Sequence, residues 1–120
     1  MTHQVSNFEQ EVVAASRRVP VLVDFWAEWC TPCKPLFRVL EDLVEAGGGS
    51  FVLTKLDVEA NRELASRLGV TNLPAITLYR DGEEVDRMVG TISKSQVRAF
   101  LTRHLPGWDA AVPDRGPFQP

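Results

Sequence analysis

The stretch VDFWAEWCTPCKP, residues 23–35, contains both cysteines of the 120-residue chain, Cys30 and Cys33. Upstream it completes the apolar, β-branched run VPVLVDFW, residues 19–26. Such a run reads as a central strand covered on both faces. Downstream, Leu36, Phe37, Leu40, Leu43 and Val44 recur at three- and four-residue spacing and stop before GGGS, residues 47–50. That is an amphipathic helix. The cysteine pair therefore falls where a buried strand hands over to a helix, with Cys33 in the first turn.

This position suggests a chemistry. Only the thiolate is a useful nucleophile, and a free thiol is mostly protonated at neutral pH. Orphan N–H groups and the helix dipole favour a negative sulfur at a helix N-terminus. Pro32 suits an early helical position, where its missing N–H costs nothing. Two intervening residues let the sulfurs join and part without moving the fold. The expectation is an accessible Cys30 that attacks a disulfide, and a Cys33 that displaces what Cys30 captures. An inert pair or a metal half-site is the bland alternative. Tetrahedral zinc wants four ligands, and the chain has no second CxxC. His3 and His104 read as ordinary surface histidines.

Composition sets the frame. Hydrophobic residues make up 44% of the chain and charged ones 24%, enough for one compact domain with a real core. The net charge of −3, with acids and bases interleaved, argues against nucleic-acid binding. The longest apolar stretch is too short for a membrane span and carries Asp24 inside it. The opening MTHQVSNFEQ lacks a basic segment followed by an apolar run. No secretory leader is expected, and the default compartment is the reducing cytoplasm. There a CxxC is more often catalytic or metal-binding than a staple.

Outward from the centre, Ser6 and Glu9 have capping-box spacing, so a first helix is expected over 7–16. A short strand is expected near Gln4 and Val5. FVLTKLDV, residues 51–58, reads as a second buried strand, and Asn61 as the cap of a short helix stopped by Gly69. AITLYR, Asp81-Gly82 and EEVDRMV form a hairpin with a favoured two-residue turn. Ser93 and Gln96 form a second capping box that starts the last helix, through Val97, Phe100, Leu101 and Leu105. The fold class is α/β, a central mixed sheet flanked by helices on both faces. The domain spans 1–105. A Pro/Gly-rich tail, 106–120, is expected to be disordered or loosely docked; Trp108 and Phe118 could pack back on the body or be recognised by another molecule, with Trp108 the one expected to dock.

VLVDFWAEWCTPCK resembles the active-site segment of the thioredoxin family, and the likeness runs on through KLDVEAN, GVTNLPAITLYRDGE and MVGTISK. It covers about residues 5–105. The resemblance implies a thiol–disulfide oxidoreductase that reduces protein disulfides. No cofactor would be bound to the chain, and electrons would come from NADPH through a thioredoxin reductase. The implied partners are that reductase and disulfide-containing proteins, with a monomer as the default.

Site roles follow from the same resemblance. Cys30 corresponds to the attacking cysteine and Cys33 to the resolving one. Asp24 corresponds to a buried carboxylate that exchanges a proton with Cys33, and Lys55 to the lysine that approaches it and lowers its pKa. Pro74 corresponds to a cis-proline that exposes the backbone of Leu73 to an extended substrate. Trp29, Thr31, Pro32 and Gly90 complete the implied substrate platform, and Trp26 packs beside it. Two positions depart from the family pattern. Thr31 stands where glycine is usual, and its hydroxyl can reach a nearby N–H. Arg38 stands where a helix-kinking proline is usual, with Pro35 nearer the helix start. Two rival functions follow: a client-binding co-chaperone module with secondary redox activity, or a dedicated oxidant, isomerase or reductase for one partner, tuned by Thr31.

Overall fold

The computed structural model describes residues 2–110. Five strands form one sheet in the order β1-β3-β2-β4-β5: β1 His3–Gln4, β2 Val21–Trp26, β3 Val52–Asp57, β4 Ala75–Arg80 and β5 Glu83–Val89. β1, β3 and β2 run parallel, while β4 is antiparallel to both β2 and β5. The expected mixed sheet is therefore present, and the run at 19–26 supplies its central strand.

Helices cover both faces because the strands alternate two apolar sets. Leu22, Leu53, Ile76 and Leu78 pack under helix α1, Cys33–Gly47, and helix α3, Lys94–His104. Val21, Val23, Phe25, Leu56 and Tyr79 pack on the other side with the N-terminal helix and α2, Arg62–Arg67. Gly48, in the left-handed region at φ 57°, ends α1. The Ser93–Gln96 capping box forms with both of its hydrogen bonds. The hairpin turns at Asp81 and Gly82, both at positive φ, as a two-residue turn requires.

Several local expectations need correction. The first helix is a π-helix, Glu9–Ala14, followed by a 3-10 turn, Ala15–Arg17. In wide i→i+5 turns, residues four apart stay near one face. Phe8, Val12 and Ser16 use that face: Phe8 meets Tyr79 edge-on at 5.5 Å, Val12 is buried, and Ser16 reaches the hairpin. Its entry is not closed by Ser6 with Glu9. Asn7 Oδ1 accepts from the Gln10 N–H, and Glu11 reaches back to Ser6 and Asn7. Asn61 does not cap α2 with its side chain, which donates to the Asp57 carbonyl instead.

His104 is not a plain surface histidine: its Nε2 lies 2.7 Å from Asp86 Oδ2. That contact and the Arg87 N–H hold the Asp86 carboxyl below its ordinary range. Beyond α3 the chain folds back. Trp108 is buried, its ring meets Phe51, its Nε1 donates to Thr102, and its carbonyl accepts from Ser50. Phe118 and the rest of the expected tail, 111–120, lie outside the described residues.

Candidate active site

β2 delivers Asp24 and Trp26 to the α1 side of the sheet, and the chain then turns through Ala27 to Cys30. Cys30 and Cys33 form a disulfide with Cα atoms 5.4 Å apart, within the ordinary range. The Cys33 N–H donates to the Cys30 carbonyl at 3.2 Å, and the Lys34 N–H to the Thr31 carbonyl at 3.3 Å. These first-turn donors close tight turns rather than standing free, so the expected orphan N–H groups are partly used. The Thr31 contact also involves its carbonyl and not its hydroxyl. Thr31 and Pro32 are exposed.

An openly accessible Cys30 was the expectation, and the disulfide form differs. Both cysteines are 3% exposed, packed with Ala27 and flanked by Trp26, Val58 and Leu73. A tight strand-to-helix turn folds the sulfurs against these apolar neighbours. Trp29 is the exposed group beside them, at 64%. Its Nε1 donates to Glu59 Oε2 at 2.7 Å, and Glu59 in turn pairs with Arg62.

The expected substrate residues separate into two groups. The Leu73–Pro74 peptide is cis, Leu73 packs against the cysteines, and the Gly90 N–H donates to the Pro74 carbonyl at 2.9 Å. Pro32 and Pro74 share a cavity of about 200 Å³ with Pro35, Leu36, Val39 and Ile92. Gly90 has φ 100°, and a Cβ there would meet no atom within 4 Å. Backbone conformation, not crowding within the chain, therefore demands glycine. Trp29 stands apart from this cavity, held by Glu59.

Behind the disulfide, Asp24 and Cys33 line one cavity of about 310 Å³, with Trp26, Phe37 and Lys55. Asp24 and Lys55 are register partners on adjacent parallel strands. Asp24 is fully buried, and among the described residues neither carboxylate oxygen has a hydrogen-bond partner. Burial pushes its pKa from 3.8 up to about 7, against the opposing pull of Lys55. Lys55 does approach Asp24 as expected, but its ammonium is not hydrogen-bonded to it. It sits over two rings, 4.1 Å from the Phe37 centroid and 4.5 Å from that of Trp26.

Three supporting residues were missed in the sequence. Glu59 anchors Trp29, and Gln4 Oε1 accepts from Trp26 Nε1 at 3.3 Å. Arg87 pairs with Glu84 and donates to the Leu68 and Gly69 carbonyls, pinning the chain that leads to Leu73. A carboxylate near a tryptophan in space leaves no mark in local spacing. Arg87 carried no distinguishing signal, being one of four charged residues in EEVDRMV. Among the described residues, no group of three or more His, Cys, Asp or Glu is arranged to hold a metal ion, and no helix is long and apolar enough to cross a membrane.

The thioredoxin family model matches residues 1–103. A thioredoxin of Pseudomonas aeruginosa is 39% identical over 100 residues, covering 83% of this chain and 91% of that protein. Thioredoxin C-2 of Corynebacterium nephridii is 38% identical over 99 residues, covering 82% and 90%. Among solved structures, a mutant thioredoxin from Halobacterium salinarum NRC-1 superposes with a TM-score of 0.73 at 33% identity, covering 85% of this chain and 88% of that one.

Proposed function

The chain belongs to the thioredoxin family and is a thiol–disulfide oxidoreductase that reduces protein disulfides, and from that premise we propose the part each residue plays. In the reduced protein, the Cys30 thiolate attacks a substrate disulfide. One substrate sulfur leaves as a thiolate, and Cys30 is joined to the other. Cys33 then gives its proton to Asp24 and attacks the Cys30 sulfur. The second substrate thiolate departs, and the Cys30–Cys33 disulfide remains. Two electrons have passed to the substrate.

The observation that carries this reading is the disulfide itself, closed at a strand-to-helix junction over a cavity shared by Cys33 and an unpartnered Asp24. A carboxyl whose pKa is near 7 suits proton exchange near neutrality. Lys55 tunes that carboxyl. Leu73, Pro74 and Gly90 supply a backbone edge for an extended substrate segment. Trp29, Thr31 and Pro32 supply the exposed surface around it. Among the described residues, the Leu73 N–H and carbonyl make no backbone hydrogen bond, which leaves them for a substrate strand.

Recharging falls to a thioredoxin reductase drawing on NADPH, in the reducing cytoplasm, with the protein acting as a monomer. The decisive test is insulin reduction with such a reductase and NADPH. Rapid turnover that Cys30→Ser reduces to background supports the carrier. Absent turnover, with suppressed aggregation of an unfolded client, would assign the chain to client binding instead.

A further inference from the structure

The Lys55 ammonium has two competing attractions inside one cavity, a buried carboxyl with no partner and a pair of aromatic faces. It occupies the aromatic seat. Trp26 forms one side, oriented by the hydrogen bond from its Nε1 to Gln4. Phe37, one turn into α1, forms the other and is the closer ring. Ring faces attract an ammonium through their quadrupole, more strongly when water is excluded.

We propose that Phe37 is a positioning residue for the resolving step: with Trp26 it seats the Lys55 ammonium on aromatic faces and withholds it from Asp24, so that the carboxyl stays basic enough to accept the Cys33 proton. The inference rests on the proton-transfer reading above and deepens it. A lysine hydrogen-bonded to Asp24 would stabilise the carboxylate and make it a poor acceptor. Seating the charge on rings keeps it near without completing the pair. Ionising Asp24 then means drawing Lys55 off the rings, and that cost preserves the carboxyl's proton affinity.

The other groups around Asp24 do not supply the missing partner. From α1 come Cys33 and, at the cavity rim, the exposed Lys34 and Arg38; from the turn after β2 comes the exposed Glu28. Lys34 is engaged with Glu28, through its carbonyl at 3.2 Å and its carboxylate at 4.0 Å. From β4, the register partner of Asp24 is the uncharged Ile76.

The test is the Asp24 carboxyl titration, followed by carbon NMR in the disulfide form, where Cys33 does not titrate. Phe37→Leu keeps apolar bulk and removes the ring. It should move the midpoint down by about one pH unit, a tenfold loss of proton affinity. Phe37→Tyr keeps a ring and should stay at the wild-type midpoint. In a Lys55→Gln background, Phe37→Leu should have no effect, because the charge it released is gone. An unchanged or raised midpoint in Phe37→Leu overturns the proposal. So does an equal drop with Lys55→Gln, which would mean altered hydration rather than a released lysine. Failure of proton transfer itself reads differently: Asp24→Asn would then leave mixed-disulfide resolution at its normal rate, whatever the titration shows.

Discussion

Asp24 makes the native state hold a proton that the unfolded chain releases. Its pKa is 3.8 when solvated and about 7 in the fold, raised by burial. Below about pH 4 both states are protonated and nothing is lost. Between about pH 4 and 7 the unfolded chain has shed the proton and the native state retains it, so stability falls as pH rises, then levels off. The difference of about three pH units corresponds to roughly 4 kcal/mol at pH 8. Asp24→Asn should abolish that slope and be more stable than wild type at pH 8, as urea titrations at pH 5 and pH 8 would reveal. The same substitution should slow mixed-disulfide resolution about 100-fold, measured by rapid quench at neutral pH. Gain of stability with loss of rate is the signature of a buried group kept for its chemistry. At this scale the sequence was uneven. Cys30, Cys33 and Asp24 stand in VLVDFWAEWCTPCK and Lys55 in KLDVEAN, the segments that carry the family resemblance. Phe37 read only as part of an apolar stripe, because its partner Lys55 lies on another element and local periodicity cannot assign contacts across the fold.

Where elements begin depends on which of several similar side chains wins a backbone donor. Ser93 wins clearly: its hydroxyl accepts from the Gln96 N–H, and Gln96 answers to the Ser93 N–H. Ser93→Ala should cost about 1 kcal/mol, seen as a lower urea midpoint with an unchanged slope. At the first helix, Ser6 and Asn7 are adjacent capping residues, with Glu9 and Glu11 as nearby acids. Spacing alone favoured Ser6 with Glu9. The fold uses Asn7 and Glu11, because wide turns facing Tyr79 and the hairpin set a different phase. Strands were more legible than helix ends. Alternating apolar residues must face one of two cores, so a register slip would expose them. Asp57 and Asn61 illustrate the limit: both suit a cap, and here Asn61 spends its amide on the Asp57 carbonyl.

For the whole molecule, the core extends past the last helix. Trp108 joins the cluster under α1 and α3, with its indole N–H and its carbonyl both satisfied. Trp108→Ala should therefore destabilise the protein by about 3–5 kcal/mol, measured by urea denaturation. Insulin reduction should be unaffected at temperatures where the variant remains folded, since the hydrogen bonds and ring contacts of Trp108 run to Ser50, Phe51, Arg98 and Thr102, none of them a site residue. Its role was hard to read because PGW breaks helical periodicity, and a single aromatic beyond a helix has no pattern to place it.

β2 and β4 carry their site ends together at Phe25 and Ala75, and their far ends together at Val21 and Tyr79. Near that far end gather the Arg80 contact with the last turn of α3 and the Trp108 contact with Ser50. The molecule thus has a reactive pole and a blind one. A bead or electrode that grips it by the blind pole would leave the sulfur chemistry turned outward, toward whatever diffuses past.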